Sequence, residues 1–455
     1  MAETKIIVLD DDPTGSQTVH SCLLLTRWDV ETLKMGLRDS APLFFILTNT
    51  RGMDAKSAET LTREVCINLK KALADLFLEG KEINPLVVSR SDSTLRGHYP
   101  VETDVIAEEL GPFDAHFMVP AFFEGGRFTR DSVHYLMVDG EPVPVHETEF
   151  ANDSVFGYSH SYLPDYVEEK TKGRIKSDEV VRFQLYDVQN DSLARLMSLS
   201  NNQCCVVDSE AQDDLNHFCG QLMQAAALGK RFLFRSAASL LTALANLPVQ
   251  PVKAEEMDRY VRNARPGAVI VGSHVKKTTQ QLNILLQQSG IEGLEIDVER
   301  IGNDENLLDN IIEKINSIHE AGLSVVIYTS RSEKCFPSQQ ERLAFGEMIS
   351  AFLMEIVRHL PKTLGFLISK GGITSNDVLS TGLNLRASRV VGQILPGCSV
   401  VCCPPEHERY PDLPVVIFPG NVGDEHSLAK AYSHLALQTA VDDIDQATKN
   451  IAGGR

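Results

Sequence analysis

The feature that most constrains this chain is its rhythm, in which short apolar runs alternate with longer amphipathic stretches almost from end to end. KIIVLD, LFFILT (residues 43–48), LVVS, HFMV, CCVVDS and FLFRS are separated by helical patterns, among them a long one over about 54–78, one after Pro100 and one over about 213–227. Apolar runs of this length read as strands buried on both faces, and their alternation with helices predicts a parallel sheet covered by helices. Between about Phe122 and Phe183 the rhythm breaks into shorter segments, and Asp139-Gly140 between two strand-like runs predicts a hairpin beside the sheet.

At 455 residues the chain is too long for one ordinary core. LPVQPVKAEEMDRYVRNARPG combines prolines and charges as linkers do, and divides the chain into an N-terminal domain over 1–248, a linker over 249–266 and a C-terminal domain over 267–455. After it the alternation restarts: AVIVGS, a helix from near Lys277, LEIDV, a helix over about 306–321, SVVIYTS, a long helix from near Ser338 to Leu360, GFLISKGG, a helix through Asn376 to Leu385, SVVCC and PVVIFPG. The expected fold class is α/β in two domains, each a largely parallel sheet flanked by helices, with a hairpin-rich elaboration in the first.

Composition excludes several functions. Lys and Arg total 43 against 62 Asp and Glu, a net charge of −19 with no basic block, which disfavours nucleic acid as a partner. No stretch approaches the roughly 20 apolar residues a membrane span needs, and MAETKIIVLD enters its first strand without room for a signal sequence. Nine cysteines without metal-ligand spacing, including Cys204-Cys205 and Cys402-Cys403 in apolar runs, read as reduced residues of a cytoplasmic protein. Thirteen histidines form neither an HExxH pair nor a Cys-x-x-Cys partnership, and His20, His98, His134 and His146 near the expected pocket read first as ordinary polar contacts.

Chemistry concentrates behind two of the apolar runs. VVSRSDSTLRGHYP places Ser91, Asp92, Ser93, Thr94, Arg96 and Gly97 after one strand, and KIIVLD runs into Asp11, Asp12, Pro13, Thr14 and Gly15. Open α/β sheets bind ligands at the carboxyl ends of their strands, and carboxylates, hydroxyls and an arginine together suit a polyhydroxylated anion. Acidic turns with helix N-caps account equally well for either cluster alone. In the second half, Gly272-Ser273-His274, Gly371-Gly372-Ile373-Thr374-Ser375 and Pro419-Gly420-Asn421-Val422-Gly423 follow strands as small or polar turns that suit phosphate, or serve simply as strand-to-helix junctions. None is a P-loop or G-x-G-x-x-G motif. Lys370 ahead of the double glycine reads as a phosphate point charge or a solvated strand end, and Thr374 and Ser375 read as phosphate ligands or helix caps.

DDDPTG, SRSDSTLRG, PAFFEGGR, SKGGITSNDVL, GQILPG and FPGNVGD, in that order, resemble the four-carbon acid sugar kinases over nearly the whole chain. The resemblance implies an N-terminal domain that binds the sugar acid, a C-terminal domain that binds ATP, and transfer to the 4-hydroxyl of threonate, erythronate or a 3-oxo relative. By motif it assigns the acid to Asp11, Asp12, Thr14, Gly15, Asp92, Ser93, Thr94, Arg96 and Gly97, with Arg127 as a carboxylate clamp or a loop brace. It assigns the nucleotide to Ser273, Gly371, Gly372, Ile373, Thr374 and Gly423. Many relatives carry GGDT where this chain has Gly371-Gly372-Ile373-Thr374, and KSGNFG where it has FPGNVG. Several carry lysine and cysteine where Arg90 and Ser91 stand here.

The expected mechanism is in-line transfer of the ATP γ-phosphoryl group with Mg²⁺ bridging its oxygens, the two domains closing, and Asp12, then Asp92, orienting or deprotonating the hydroxyl. Metal ligands are left unassigned, and a homodimer is the prior for soluble enzymes of this kind. The rivals are a non-catalytic sugar-acid or nucleotide sensor and, behind it, a metal-dependent lyase built on Asp11, Asp12 and Asp92.

Overall fold

The computed structural model describes residues 3–331 and 339–436, and the chain divides into two compact units between Val249 and Gln250. In the first unit the strands are β1 (Glu3–Asp10), β2 (Cys22–Leu25), β3 (Leu43–Leu47), β4 (Ile83–Arg90), β5 (Ala115–Val119), β6 (Arg127–Arg130), β7 (Val133–Val138), β8 (Glu141–Pro144), β9 (Val181–Phe183), β10 (Gln203–Val207) and β11 (Phe232–Ser236). The main sheet runs β2-β3-β1-β4-β11-β5-β10-β9 with every pairing parallel. The expected hairpin is present: β6, β7 and β8 form a separate antiparallel sheet, with Asp139 and Gly140 at the β7–β8 turn in left-handed conformation.

The strands are apolar because helices cover both faces of the sheet. The Ala55–Leu78 helix starts where the Asp54 side chain accepts from the amides of Lys56 and Ser57, and buries Ala58, Thr62, Val65, Leu69, Ala72 and Leu76 at alternating spacings of four and three. Phe117 on β5 is fully buried and packs its ring against those of Phe183, Phe218, Phe232 and Phe234. Register brings the strand ends level: Asp10 pairs with Leu47 and Arg90, and Arg90 with Ser236. The loops leaving β1, β3, β4 and β11 therefore emerge side by side.

The second unit contains β12 (Ala268–Val271), β13 (Ile291–Ile296), β14 (Ser324–Thr329), β15 (Leu367–Lys370), β16 (Ala387–Leu395), β17 (Cys398–Cys402) and β18 (Pro414–Phe418). Its order is β13-β14-β12-β15-β18-β17-β16, parallel from β13 to β18 and antiparallel for the last two pairings. Val271, Lys370 and Phe418 stand level at three adjacent strand ends. Two expectations need adjustment. The helix placed over Asn376 to Leu385 is a Gly372–Asp377 helix that widens into a π turn over Val378–Gly382, where Gly382 packs against Val357 and Met354 with no room for a side chain. The β16–β17 hairpin has no helix between its strands, so the alternating pattern did not mark it. The expected helix start at Ser338 and the chain beyond 436 lie outside the described residues.

Phe117→Ala should lower the unfolding free energy of the first unit by about 3–5 kcal/mol, the usual cost of deleting a buried phenyl ring, read as a drop in urea midpoint. A shift under about 1 kcal/mol would show that the aromatic layer is not the core it is taken to be.

Candidate functional site

Arg51, which the sequence reading passed over, is the centre of the first unit's strand-end cluster. It sits on a short 3-10 turn (Thr50–Gly52) just after β3, and its own amide donates to the Asp11 carbonyl at 3.2 Å. Its guanidinium donates through Nε to Asp11 Oδ2 at 3.2 Å and through NH2 to Asp11 Oδ1, while NH1 donates to Asp12 Oδ2 at 3.2 Å and lies 3.9 Å from Asp92 Oδ1. One planar fork thus gathers the three carboxylates that two loops deliver. The signal available in the sequence was the polar turn Thr48-Asn49-Thr50-Arg51-Gly52 behind LFFIL, a third strand end of the same kind.

The two loops are built alike. Asp12 accepts from the amide of Thr14 at 2.9 Å and from its hydroxyl at 2.5 Å; Asp92 accepts from the amide of Thr94 at 3.3 Å and from its hydroxyl. Arg96 Nε donates to Asp92 Oδ2 at 2.8 Å, and its guanidinium lies over the Phe150 ring. Burial pushes Asp12 up, but Arg51 and the Thr14 hydroxyl outweigh it and leave the carboxyl below the usual range. For Asp92, burial is outweighed by Arg51 and Arg96, which hold it far below that range. Both are firmly ionised at neutral pH, and carboxylates so held are weak proton acceptors.

Beneath them lies a buried polar layer. Ser91 donates to Asp11 at 2.9 Å, and Arg235 NH2 donates to the Ser91 hydroxyl at 3.1 Å and the Arg96 carbonyl at 3.0 Å. Glu102 accepts from Thr50 at 2.6 Å, and burial, then the Asp11 charge, lifts it to about 7. Gly97 follows Arg96 where a β-carbon would collide with the Ser91 hydroxyl and crowd the Asp11 carboxylate. Asp10 is fully buried, neither of its oxygens has a hydrogen-bond partner among the described residues, and Arg90 NH1 stands off at 3.7 Å. Burial, opposed by Arg90 and reinforced by Asp11 and Asp12, pushes Asp10 up to about 8. Gly15 lies directly over this carboxyl, and any side chain there would overlap it.

Arg127 follows the Phe123–Gly125 turn; its NH1 donates to the Gly125 carbonyl at 2.5 Å, so it braces its own loop. Its Nε is buried and has no partner among the described residues. The Ser93 carbonyl accepts from His134 Nε2 at 2.8 Å, which ties the DSTLRG loop to the hairpin sheet. His98 Nε2 donates to the Thr50 and Met53 carbonyls at 3.0 Å, and His20 Nε2 to Pro248 at 2.8 Å. These histidines fasten loops.

In the second unit the structure brings Ser273, Gly371, Thr374 and Gly420 together at the ends of β12, β15 and β18. Gly371 has φ of 120°, and a β-carbon there would stand 3.2 Å from Thr374 Oγ1 and 3.3 Å from Ser273 Cβ. Thr278 donates to Ser273 Oγ and to the Gly420 carbonyl, both at 3.3 Å. Gly372 opens the short helix, Ile373 beside it is 71% exposed, and Gly423 has φ of 77° against Ser427. Lys370 is fully buried rather than solvated. The described cysteines are free, and no described helix is long and apolar enough to cross a membrane.

Asp10 offers a pH test. Its folded value of about 8 exceeds the 3.8 of a free side chain, so its contribution to stability is full below about pH 4 and is lost as pH rises through about 8. Asp10→Asn removes that loss: its melting temperature relative to wild type should climb steadily from pH 5 to pH 8. A difference independent of pH would mean that Asp10 is ionised like its neighbours.

Residues 6–244 match the model of a sugar-binding N-terminal domain and residues 268–428 that of a nucleotide-binding C-terminal domain. A D-erythronate kinase of Heliobacterium modesticaldum (strain ATCC 51547 / Ice1) is 26% identical over 224 residues, and the match spans 47% of this chain and 47% of that protein, about half of each. A Salmonella typhimurium LT2 structure superposes with a TM-score of 0.68 at 18% identity, covering 94% of this chain and 98% of its own. A Haemophilus influenzae structure from a domain-of-unknown-function family does so with 0.65 at 16% identity, covering 94% and 100%. The two structures share the fold, and with the two domain models matched in order across most of the sequence, the chain belongs to the four-carbon acid sugar kinase family.

Proposed function

We propose that the protein is an ATP-dependent kinase that phosphorylates the terminal 4-hydroxyl of a four-carbon sugar acid such as 3-oxo-tetronate, threonate or erythronate. The observation that carries this reading is the Arg51 cluster, which gathers ionised Asp12 and Asp92 at a partly open strand-end site among the arginines Arg96 and Arg127. Substrate hydroxyls find acceptors in the two carboxylates, with Asp11, Thr14, Gly15, Ser93, Thr94 and Gly97 shaping the loops around them. The substrate carboxylate finds guanidinium donors in Arg96 and in the unpartnered Nε of Arg127. The second-unit turns of Ser273, Gly371 to Thr374 and Gly423 take the nucleotide.

In the reaction the 4-hydroxyl oxygen bonds to the γ-phosphorus as the bond from that phosphorus to the ADP oxygen breaks. Asp12 and Asp92 are too firmly ionised to be strong bases, so their part is to aim the hydroxyl, and its proton passes to a phosphoryl oxygen or to water as the new bond forms. No group of three His, Cys, Asp or Glu side chains among the described residues is arranged to hold a metal ion, and Mg²⁺ would be carried on the nucleotide phosphates, where it would supply charge neutralisation.

An ADP-release assay with Mg²⁺-ATP against threonate, erythronate, their 3-oxo forms and branched relatives should show one clearly preferred acid by kcat/KM. Nucleotide binding without turnover on any of them would favour the sensor. Asp12→Asn should cut kcat by about 10–100-fold with the melting temperature preserved, as expected when an orienting contact is lost. Near-normal turnover would remove Asp12 from the chemistry.

A further inference from the structure

Lys370, at the end of β15, is fully buried and has no carboxylate partner among the described residues. Its Nζ donates to the Pro419 carbonyl at 2.6 Å and the Gly420 carbonyl at 3.0 Å, and lies 4.3 Å from the centre of the Phe418 ring. Burial brings the amine down to about 7, so keeping a lysine here costs stability, and an apolar residue would suit the position better unless the lysine served a purpose.

Side chains of the Lys276–Leu285 helix hold the rest of the same turn. Thr278 donates to the Gly420 carbonyl at 3.3 Å, Lys277 to that of Asn421 at 3.3 Å, and Gln281 to those of Val422 at 3.0 Å and Asp424 at 2.7 Å. A trans peptide is planar, so the N–H of each residue points opposite to the carbonyl of the residue before it. Drawing the carbonyls of residues 419 to 422 onto side chains therefore turns the amides of Gly420, Asn421, Val422 and Gly423 the other way. Among the described residues no protein group accepts from these four N–H groups. Successive amides presented on one side of a turn form an anion-binding concavity.

We propose that Lys370 is a positioning residue for nucleotide: it anchors the Pro419–Gly420 carbonyls so that the amides of residues 420–423 face a phosphate, and does not itself touch the ligand. This rests on the nucleotide-binding reading of the second unit. It explains why a lysine that reads in sequence as a point charge for phosphate is directed instead at two carbonyls. Thr278 and Gln281 share the task from the Lys276–Leu285 helix.

The test is calorimetric titration with Mg²⁺-ADP, together with hydrogen exchange of the amides of residues 420–423. Lys370→Met should weaken ADP at least about tenfold and, in the presence of saturating ADP, speed exchange at those amides, and Lys370→Arg, which can donate to the same carbonyls, should recover most of the affinity. Thr278→Val, which removes one donor at equal volume, should weaken ADP in the same direction by a smaller factor and keeps the test open if Lys370→Met does not fold. Wild-type protein that binds ADP beside a Lys370→Met protein that binds it equally well overturns the role of Lys370 alone. Wild-type protein that binds no ADP overturns the nucleotide reading on which it rests.

Discussion

The first unit's site depends on a charge balance. Asp11, Asp12 and Asp92 all lie within 3.9 Å of one guanidinium, and burying carboxylates together is unfavourable unless a cation is shared among them. Arg51 is that cation. Its fork spans both loops, and its burial is outweighed by pairing with Asp11, Asp12 and Asp92, which holds it charged. Without it Asp12 and Asp92 would share no cation, and the loops after β1 and β4 would be joined by contacts such as the Ser91–Asp11 hydrogen bond instead. With it, Asp12 and Asp92 remain ionised at a partly exposed strand-end edge.

The layer below follows from the same constraint. Asp10 is one residue from the cluster but has no guanidinium within hydrogen-bond range, so it keeps its proton, packs as a neutral group and requires glycine at position 15. Asp10 and Asp12 in one DDD run therefore differ in charge state, because Arg51 pairs with Asp12 while Asp10 is buried without a hydrogen-bond partner among the described residues. The second unit poses the opposite problem. On the proposed reading its turns attract an anion with backbone amides set by side chains that hold the carbonyls away, and Lys370, which donates to the Pro419 and Gly420 carbonyls, acts through geometry more than through charge.

The strand and helix alternation was legible because both sheets are buried on both faces, so each strand declares itself as an apolar run. The β7–β8 hairpin was legible from Asp139-Gly140. The β16–β17 hairpin was not, since an antiparallel pair inside a mixed sheet carries the same apolar signature as its parallel neighbours. Asp12, Asp92 and Arg96 stood out as strand-end clusters, and the structure does gather them. Arg51 did not, because a single arginine after LTNT carries no motif, and its importance comes only from the β1–β3 pairing that sets it beside Asp11. The charge state of Asp10 and the direction in which Lys370 points are likewise products of packing, which a linear pattern does not encode.

The most direct test of this account is calorimetric titration of the preferred four-carbon acid into wild-type and Arg51→Gln proteins, with Mg²⁺-ADP affinity measured in the same samples. The account requires the acid to lose at least about tenfold in affinity while ADP binding is unchanged. Acid binding that survives the substitution intact, in a protein that still binds ADP, would contradict it.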